Sequence, residues 1–139
     1  MRAPDTILPL RAEGLGFAAG GVRILDDVTL SIEAGAPTVV LGPNGAGKSV
    51  LLRLLHGLLP CTAGRVAWSG IPGAAARRQA MVFQRPVLLR RSVRANAAYP
   101  LRLAELGHAE CEARVEEALA LVGLAPLADR PARRLSGGE

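Results

Sequence analysis

Lysine is almost missing from this chain. Of 17 basic residues, 16 are arginine, and the one lysine is Lys48. Acidic residues are missing altogether between Glu33 and Glu105, while Lys48, Arg53, Arg65, Arg77, Arg78, Arg85, Arg90, Arg91, Arg94 and Arg102 fall there. That imbalance suits an anionic partner, or an arginine-rich composition answered by acids elsewhere in a longer protein. Aromatics amount to two Phe, one Tyr and one Trp, which leaves little to stack on nucleic-acid bases. Two cysteines, Cys61 and Cys111, match no metal or redox spacing, and His56 and His108 add none. They read as free packing thiols in a reducing compartment. No apolar run reaches a membrane-spanning length. Met1 to Leu10 holds two prolines and an aspartate, which does not fit a secretion signal. What is present is 139 residues, 50% hydrophobic and 21% charged, the composition of one packed soluble domain.

The hydrophobic pattern predicts a mixed fold. Gly14, Gly16, Gly20 and Gly21 punctuate the start as turns. Val22 to Leu25 reads as a short strand, and Val28, Leu30 and Ile32 alternate with polar residues as in a half-buried one. Thr38 to Leu41 is an unbroken apolar run, as in a strand buried on both faces of a parallel sheet. Val50 to His56 is helical in composition and stops at Gly57. Gly64 to Ser69 and Ala80 to Phe83 read as further strands, with Trp68 packed in the first. Ser92 would cap a helix that Pro100 ends. From His108 to Val122 an amphipathic helix carries Cys111, Val115, Ala118, Leu119 and Val122 on one stripe, and Gly123 stops it. Pro126 and Pro131 mark a loop.

Between the apolar run and the first helix lies Gly42-Pro43-Asn44-Gly45-Ala46-Gly47-Lys48-Ser49, which fits the phosphate-loop pattern G-x-x-x-x-G-K-[ST]. Glycines let backbone N–H groups close on phosphate oxygens, and the helix behind adds its positive end. Lys48 would bring a full charge to the β/γ-phosphates, and the Ser49 hydroxyl a ligand to Mg²⁺. A compact ammonium fits there where a planar guanidinium does not, which explains a single lysine in this position.

This loop resembles the form found in the ABC-type ATPases, the nucleotide-binding subunits of ABC transporters. Leu135-Ser136-Gly137-Gly138-Glu139 resembles their signature motif, in a variant with Glu fifth. Val82-Phe83-Gln84-Arg85 resembles their Q-loop, and Ile24 to Gly35 the strand pair that leads into the phosphate loop. The resemblance implies an α/β fold: a truncated P-loop NTPase of the ABC type, with an antiparallel β subdomain, a P-loop core and a helical subdomain. Residues from 1 to about 91 would form the first two and about 92 to 139 the helical part.

The resemblance also implies roles. Gly42, Asn44, Gly45, Gly47, Lys48 and Ser49 would cradle the phosphates of ATP, with Val50 contributing through its backbone. Phe17 would stack on adenine. Ser49 and Gln84 would serve Mg²⁺, and Gln84 would also reach the attacking water and couple it to transmembrane permease subunits. Ser136, Gly137 and Gly138 would bind the nucleotide of a second ATPase subunit in a head-to-tail dimer, at another helix N-terminus. Arg85, Arg90, Arg91 and Arg94 would help dock the membrane partner or anionic headgroups, or form a solvated basic face. The subunit would sit in the cytoplasm against the inner face of the membrane.

The family's Mg²⁺-binding Asp, catalytic Glu and switch His have no counterpart here, so the chain is expected to be the N-terminal part of a longer ATPase and to fold poorly alone. Glu139 belongs to the signature motif, and His56 and His108 do not fit the switch position. The expected function is ATP-driven import of a small solute. Phe83 to Val93 with Asn96 resembles importers of oxyanions such as phosphate, tungstate or molybdate. The alternatives are a non-transport ABC ATPase acting on nucleic acid, which the scarce aromatics and short Gln84–Ser136 spacing disfavour, and a non-catalytic remnant.

Overall fold

The structure, a computed structural model, describes residues 6–68, 79–84 and 87–139. Ser69, Arg77, Arg78, Arg85 and Pro86 of the sequence reading, and the first five residues, lie outside the described residues. The chain divides into two compact units, Met1–Met81 and Val82–Glu139.

The first unit is built on an antiparallel sheet of order β2-β1-β3. Strand β1 (Leu10–Ala19) and strand β2 (Val22–Ile32) form a hairpin that turns at Gly20-Gly21 and pairs Leu10 with Ile32. The two short pieces expected between Val22 and Ile32 are one strand, with an irregular register around Asp27 at φ 51°. The alternation holds in its second half, where Val28, Leu30 and Ile32 are half-buried. Strand β3 (Ala63–Trp68) pairs on the other side of β1, Leu10 against Trp68. Helix α1 (Lys48–His56) buries Leu51, Leu54 and Leu55, which recur at i, i+3 and i+4 and so share one face. They join Leu10, Ala12 and Leu15 of β1 in one core, with Trp68 and Phe17 packed at its margin. Each buried leucine contributes about 1.5–3 kcal/mol to this packing. Gly57 closes the helix, its N–H donating to the Leu54 carbonyl at 3.0 Å.

Two expected strands are not formed. Thr38–Leu41 has no ladder partner among the described residues, and Val39 and Leu41 are 73% and 85% exposed. The run is apolar enough for a central strand, but the described sheet has the order β2-β1-β3 and the run is in none of its ladders. Ala80–Phe83 is likewise not a strand, and Val82 is 93% exposed.

The second unit is helical. Helix α2 (Val93–Leu103) starts at Ser92, whose Oγ accepts the Ala95 N–H at 3.2 Å. Pro100 does not end it but lies inside it. Proline costs a helix one N–H and crowds the preceding turn, and here the turn beyond is held by Ala104 N–H donating to the Pro100 carbonyl at 3.1 Å. Helix α3 (His108–Leu121) buries Cys111, Val115 and Leu119, but Ala118 and Val122 of the expected stripe are exposed. The helical step of about 100° per residue keeps both on that side of α3, but Val122 is already the C-cap residue beyond the helix, and the core completed by Val93 and Ala98 does not extend over either. Short 3₁₀ turns over Ala125–Leu127 and Ala132–Arg134 bring Ala128 and Ala132 into the same core. Both cysteines are free.

Candidate functional site

The loop Gly42–Ser49 is set by backbone conformation before any side chain acts. The Ala46 N–H donates to the Pro43 carbonyl at 3.3 Å, and the Leu51 N–H to the Gly47 carbonyl at 2.8 Å, which opens α1. Gly47 is left-handed at φ 82°. A Cβ there would lie 3.0 Å from Leu25 Cδ2 and 3.3 Å from the Ile24 carbonyl. Only glycine satisfies both the torsion and the close approach of the loop to β2.

Helix α1 has no side-chain cap and no acidic residue in its first turn. Its first N–H groups are donors left for an anion, at the positive end of the helix dipole. The Lys48 Nζ folds over the loop and donates to the carbonyls of Gly42 at 2.8 Å and Pro43 at 2.6 Å. These two carbonyls hold the ammonium over the loop. Asn44, Gly45 and Ser49 are exposed, while Val50 is half-buried against the core. A helix start short of acceptors, with a cation above it, has the donor set for a polyphosphate. The exposed Ser49 places a hydroxyl oxygen beside this helix start.

Phe17 is tied to this loop through one neighbour. It is the cross-strand partner of Leu25, whose methyl faces Gly47. Phe17 lines a cleft of about 200 Å³ with Arg23, Asp26 and Thr62, and Arg23 pairs with Asp26 at 2.7 Å on its wall. The ring is half-buried, so part of it is open for stacking.

Gln84, Ser136, Gly137 and Gly138 belong to the second unit, and all four are exposed. The Ser136 N–H donates to Glu139 Oε2 at 2.7 Å, and the Glu139 N–H donates to Ser136 Oγ at 3.3 Å. This reciprocal pair is a capping box, the arrangement that opens a helix. Ser136 holds the Glu139 carboxyl below its ordinary value, first through its N–H and then its hydroxyl; Arg130 adds a smaller pull. The S-x-x-E spacing of such a box is legible in the sequence, inside the signature motif.

Of the arginines placed on a docking face, Arg94 is otherwise engaged. Its guanidinium lies 3.4 Å from Glu112, 3.5 Å from Glu116 and 3.9 Å from Asp129, which ties α2 to α3. Arg90 and Arg91 are exposed, and the Arg91 guanidinium sits 5.8 Å from the Tyr99 ring centre. Asn96, which the motifs gave no role, makes four side-chain hydrogen bonds to the turn before α2. No residue pattern in the sequence announces that role, because the partners are backbone atoms.

A family model described as ABC transporter matches residues 25–139. The chain is 41% identical to the cobalt import ATP-binding protein CbiO of Rhodobacter capsulatus, a match over 94% of this chain and 50% of that protein. It is 40% identical to the tungstate uptake system ATP-binding protein TupC of Peptoclostridium acidaminophilum, over 95% of this chain and 62% of that protein. Among solved structures, cbiO1 from Clostridium perfringens, part of the ABC transporter complex cbiONQ, superposes with a TM-score of 0.78 at 29% identity. That match covers 91% of this chain and 55% of cbiO1. The chain thus spans between half and about 62% of the length of these relatives.

Proposed function

The chain belongs to the ABC transporter family, and from that premise we propose that it is the nucleotide-binding part of an ATP-binding subunit that drives import of a small solute. The observation that carries this reading is the loop Gly42–Ser49. It has uncapped N–H groups at the start of α1, no acid in the first turn, and Lys48 lying over the same backbone.

Binding of Mg-ATP exchanges one set of acceptors for another. Lys48 leaves the Gly42 and Pro43 carbonyls for β/γ-phosphate oxygens, and the N–H groups of Gly45, Gly47, Lys48 and Ser49 take the rest. Ser49 would hold Mg²⁺ through its hydroxyl, and the ion would supply charge neutralisation to the phosphates. Phe17 takes one face of the adenine. Asn44 and Val50 shape the two ends of the loop. Gln84 acts on the Mg²⁺ side, and Ser136, Gly137 and Gly138 serve the nucleotide of a second subunit in a head-to-tail dimer. These roles rest on the motifs, as does the division into a β and P-loop part and a helical part.

Permease subunits in the membrane are the proposed partners, reached at the segment after Gln84, with Arg90 and Arg91 as contact residues. The import names of the relatives support this, and so does the transporter complex that contains cbiO1. The subunit would work at the cytoplasmic face of that membrane. The relatives are named for cobalt in one case and tungstate in another. An oxyanion cargo is the narrower proposal, supported by the tungstate relative and by the likeness of Phe83–Val93.

The test is equilibrium binding of Mg-ATP to the purified chain and to Lys48→Ala. A charge-assisted hydrogen bond is worth about 1.5–3 kcal/mol, so the variant should bind about 10- to 100-fold more weakly. Equal affinities in the two proteins would remove the loop as the nucleotide site.

A further inference from the structure

The segment Leu88–Ser92 has almost no regular secondary structure, yet its backbone is tied on two sides. On one side stands Asn96, in the first turn of α2. Its Oδ1 accepts the Leu89 N–H at 2.9 Å, and its Nδ2 lies 2.9 Å from the Ser92 carbonyl, 3.3 Å from that of Leu89 and 3.4 Å from that of Arg91. One amide therefore closes the turn with its acceptor and its donors together. No other residue type of this size offers both.

On the other side runs the segment that leads to Ser136. The Arg94 N–H donates to Ala128 at 2.8 Å, the Val93 N–H to Arg130 at 3.0 Å, and the Ala132 N–H back to Arg91 at 2.9 Å. Ser92 and Pro131 form an antiparallel bridge, and Arg133 Nε reaches the Leu88 carbonyl at 3.4 Å. The Arg91 carbonyl is the junction. It accepts from Ala132 and, at longer range, from Asn96, so the turn that Asn96 sets also fixes where Arg91 meets the chain four residues before Ser136.

We propose that Asn96 is a positioning residue. It holds the Leu89–Ser92 turn in the shape that pairs with Ala128–Ala132, so that the turn and the approach to Ser136-Gly137-Gly138 move as one piece. The functional weight of that coupling rests on the reading of Ser136–Gly138 as a nucleotide contact; the coupling itself does not. A force on the exposed turn, where Arg90 and Arg91 lie, would reach Ser136 through backbone hydrogen bonds alone.

Amide hydrogen exchange on the whole chain tests this, with Asn96→Ala and Asn96→Asp. The alanine variant removes both halves of the clamp. Exchange should rise about tenfold or more at Leu89, Val93 and Ala132, the scale of one lost hydrogen bond, while Val115 and Leu119 in α3 stay protected. The aspartate variant keeps the acceptor and turns the donors into a carboxylate facing carbonyls. Leu89 should then stay protected while Ala132 and Val93 do not. That split is the signature of positioning, since a side chain that merely fills space would not separate the two amides.

Ala132 protection unchanged in the aspartate variant would overturn the proposal. So would loss of protection in α3 in both variants, because Asn96 would then hold up the whole unit. Mg-ATP affinity should match the wild type in both variants. If the wild-type chain binds no Mg-ATP, the functional reading fails, and the amide pattern still decides the coupling.

Discussion

Gly64 is where the sheet of the first unit is least forgiving. It is the second residue of β3, at φ 72°, and a Cβ there would overlap the carbonyls of Glu13 and Gly14 in β1. Gly20, in the hairpin turn at φ 57°, has nothing within 4 Å of the same position. Gly20→Ala should therefore cost only the left-handed torsion, about 1–2 kcal/mol. Gly64→Ala must also push two backbones apart and should cost about 2–5 kcal/mol, the range of overpacking added to that torsion. Urea unfolding followed by the fluorescence of Trp68, the one tryptophan and a β3 residue, should show the larger fall in midpoint for Gly64→Ala. Equal midpoints would mean that β3 does not press on β1 as described. Residues of this kind divide sharply by legibility. Lys48 and the loop glycines announce themselves because their chemistry needs a fixed spacing in sequence. Gly64 and Asn96 do not, because what they serve is a carbonyl 50 residues away or a turn shape that only the folded chain defines.

At the scale of elements, the chain's local signals were sound where a short-range interaction decides and weak where a partner does. Ser92 caps α2 and Gly57 ends α1, as their sequence positions imply. Pro100 ends nothing, because packing against α3 outweighs one missing hydrogen bond in α2. The Ser136–Glu139 box is local in the same sense, and it makes a pH prediction. Glu139 has a lowered pKa in the folded chain, so its carboxylate stabilises the box above its ordinary 4.5. That contribution falls away only as pH drops through the lowered folded value. The Ser136 amide proton, bonded to this carboxylate at 2.7 Å, should shift in an NMR titration with a midpoint below 4.5. In Glu139→Gln the side-chain oxygen still accepts but does not titrate, so the Ser136 amide should be flat over the same range. A midpoint at or above the ordinary value would show that the box does not persist in solution.

For the molecule as a whole, the motifs pointed to the family and an α/β mixture, period and turn residues marked single elements such as Val28–Ile32 and His108–Leu121, and the antiparallel subdomain and helical part came with the resemblance. The place of the loop's own strand was not. Thr38–Leu41 has the unbroken apolar pattern of a strand with neighbours on both sides, and pattern alone does not say where those neighbours come from. In the described residues it has none, and Val39 and Leu41 face solvent. Unpaired backbone donors beside exposed β-branched and aliphatic side chains are a template for pairing with another chain. The 139-residue chain should therefore self-associate through this run. Static light scattering should rise with concentration, and Val39→Lys with Leu41→Lys should lower it, since charge on an open edge blocks pairing. The double variant changes no core position, and Leu51, Leu54 and Leu55 still pack α1 on β1. Its circular dichroism should stay that of the parent. Scattering unchanged by the two lysines, at an unchanged spectrum, would place the association elsewhere, with the exposed Val82 and Val87 as the next surface to charge.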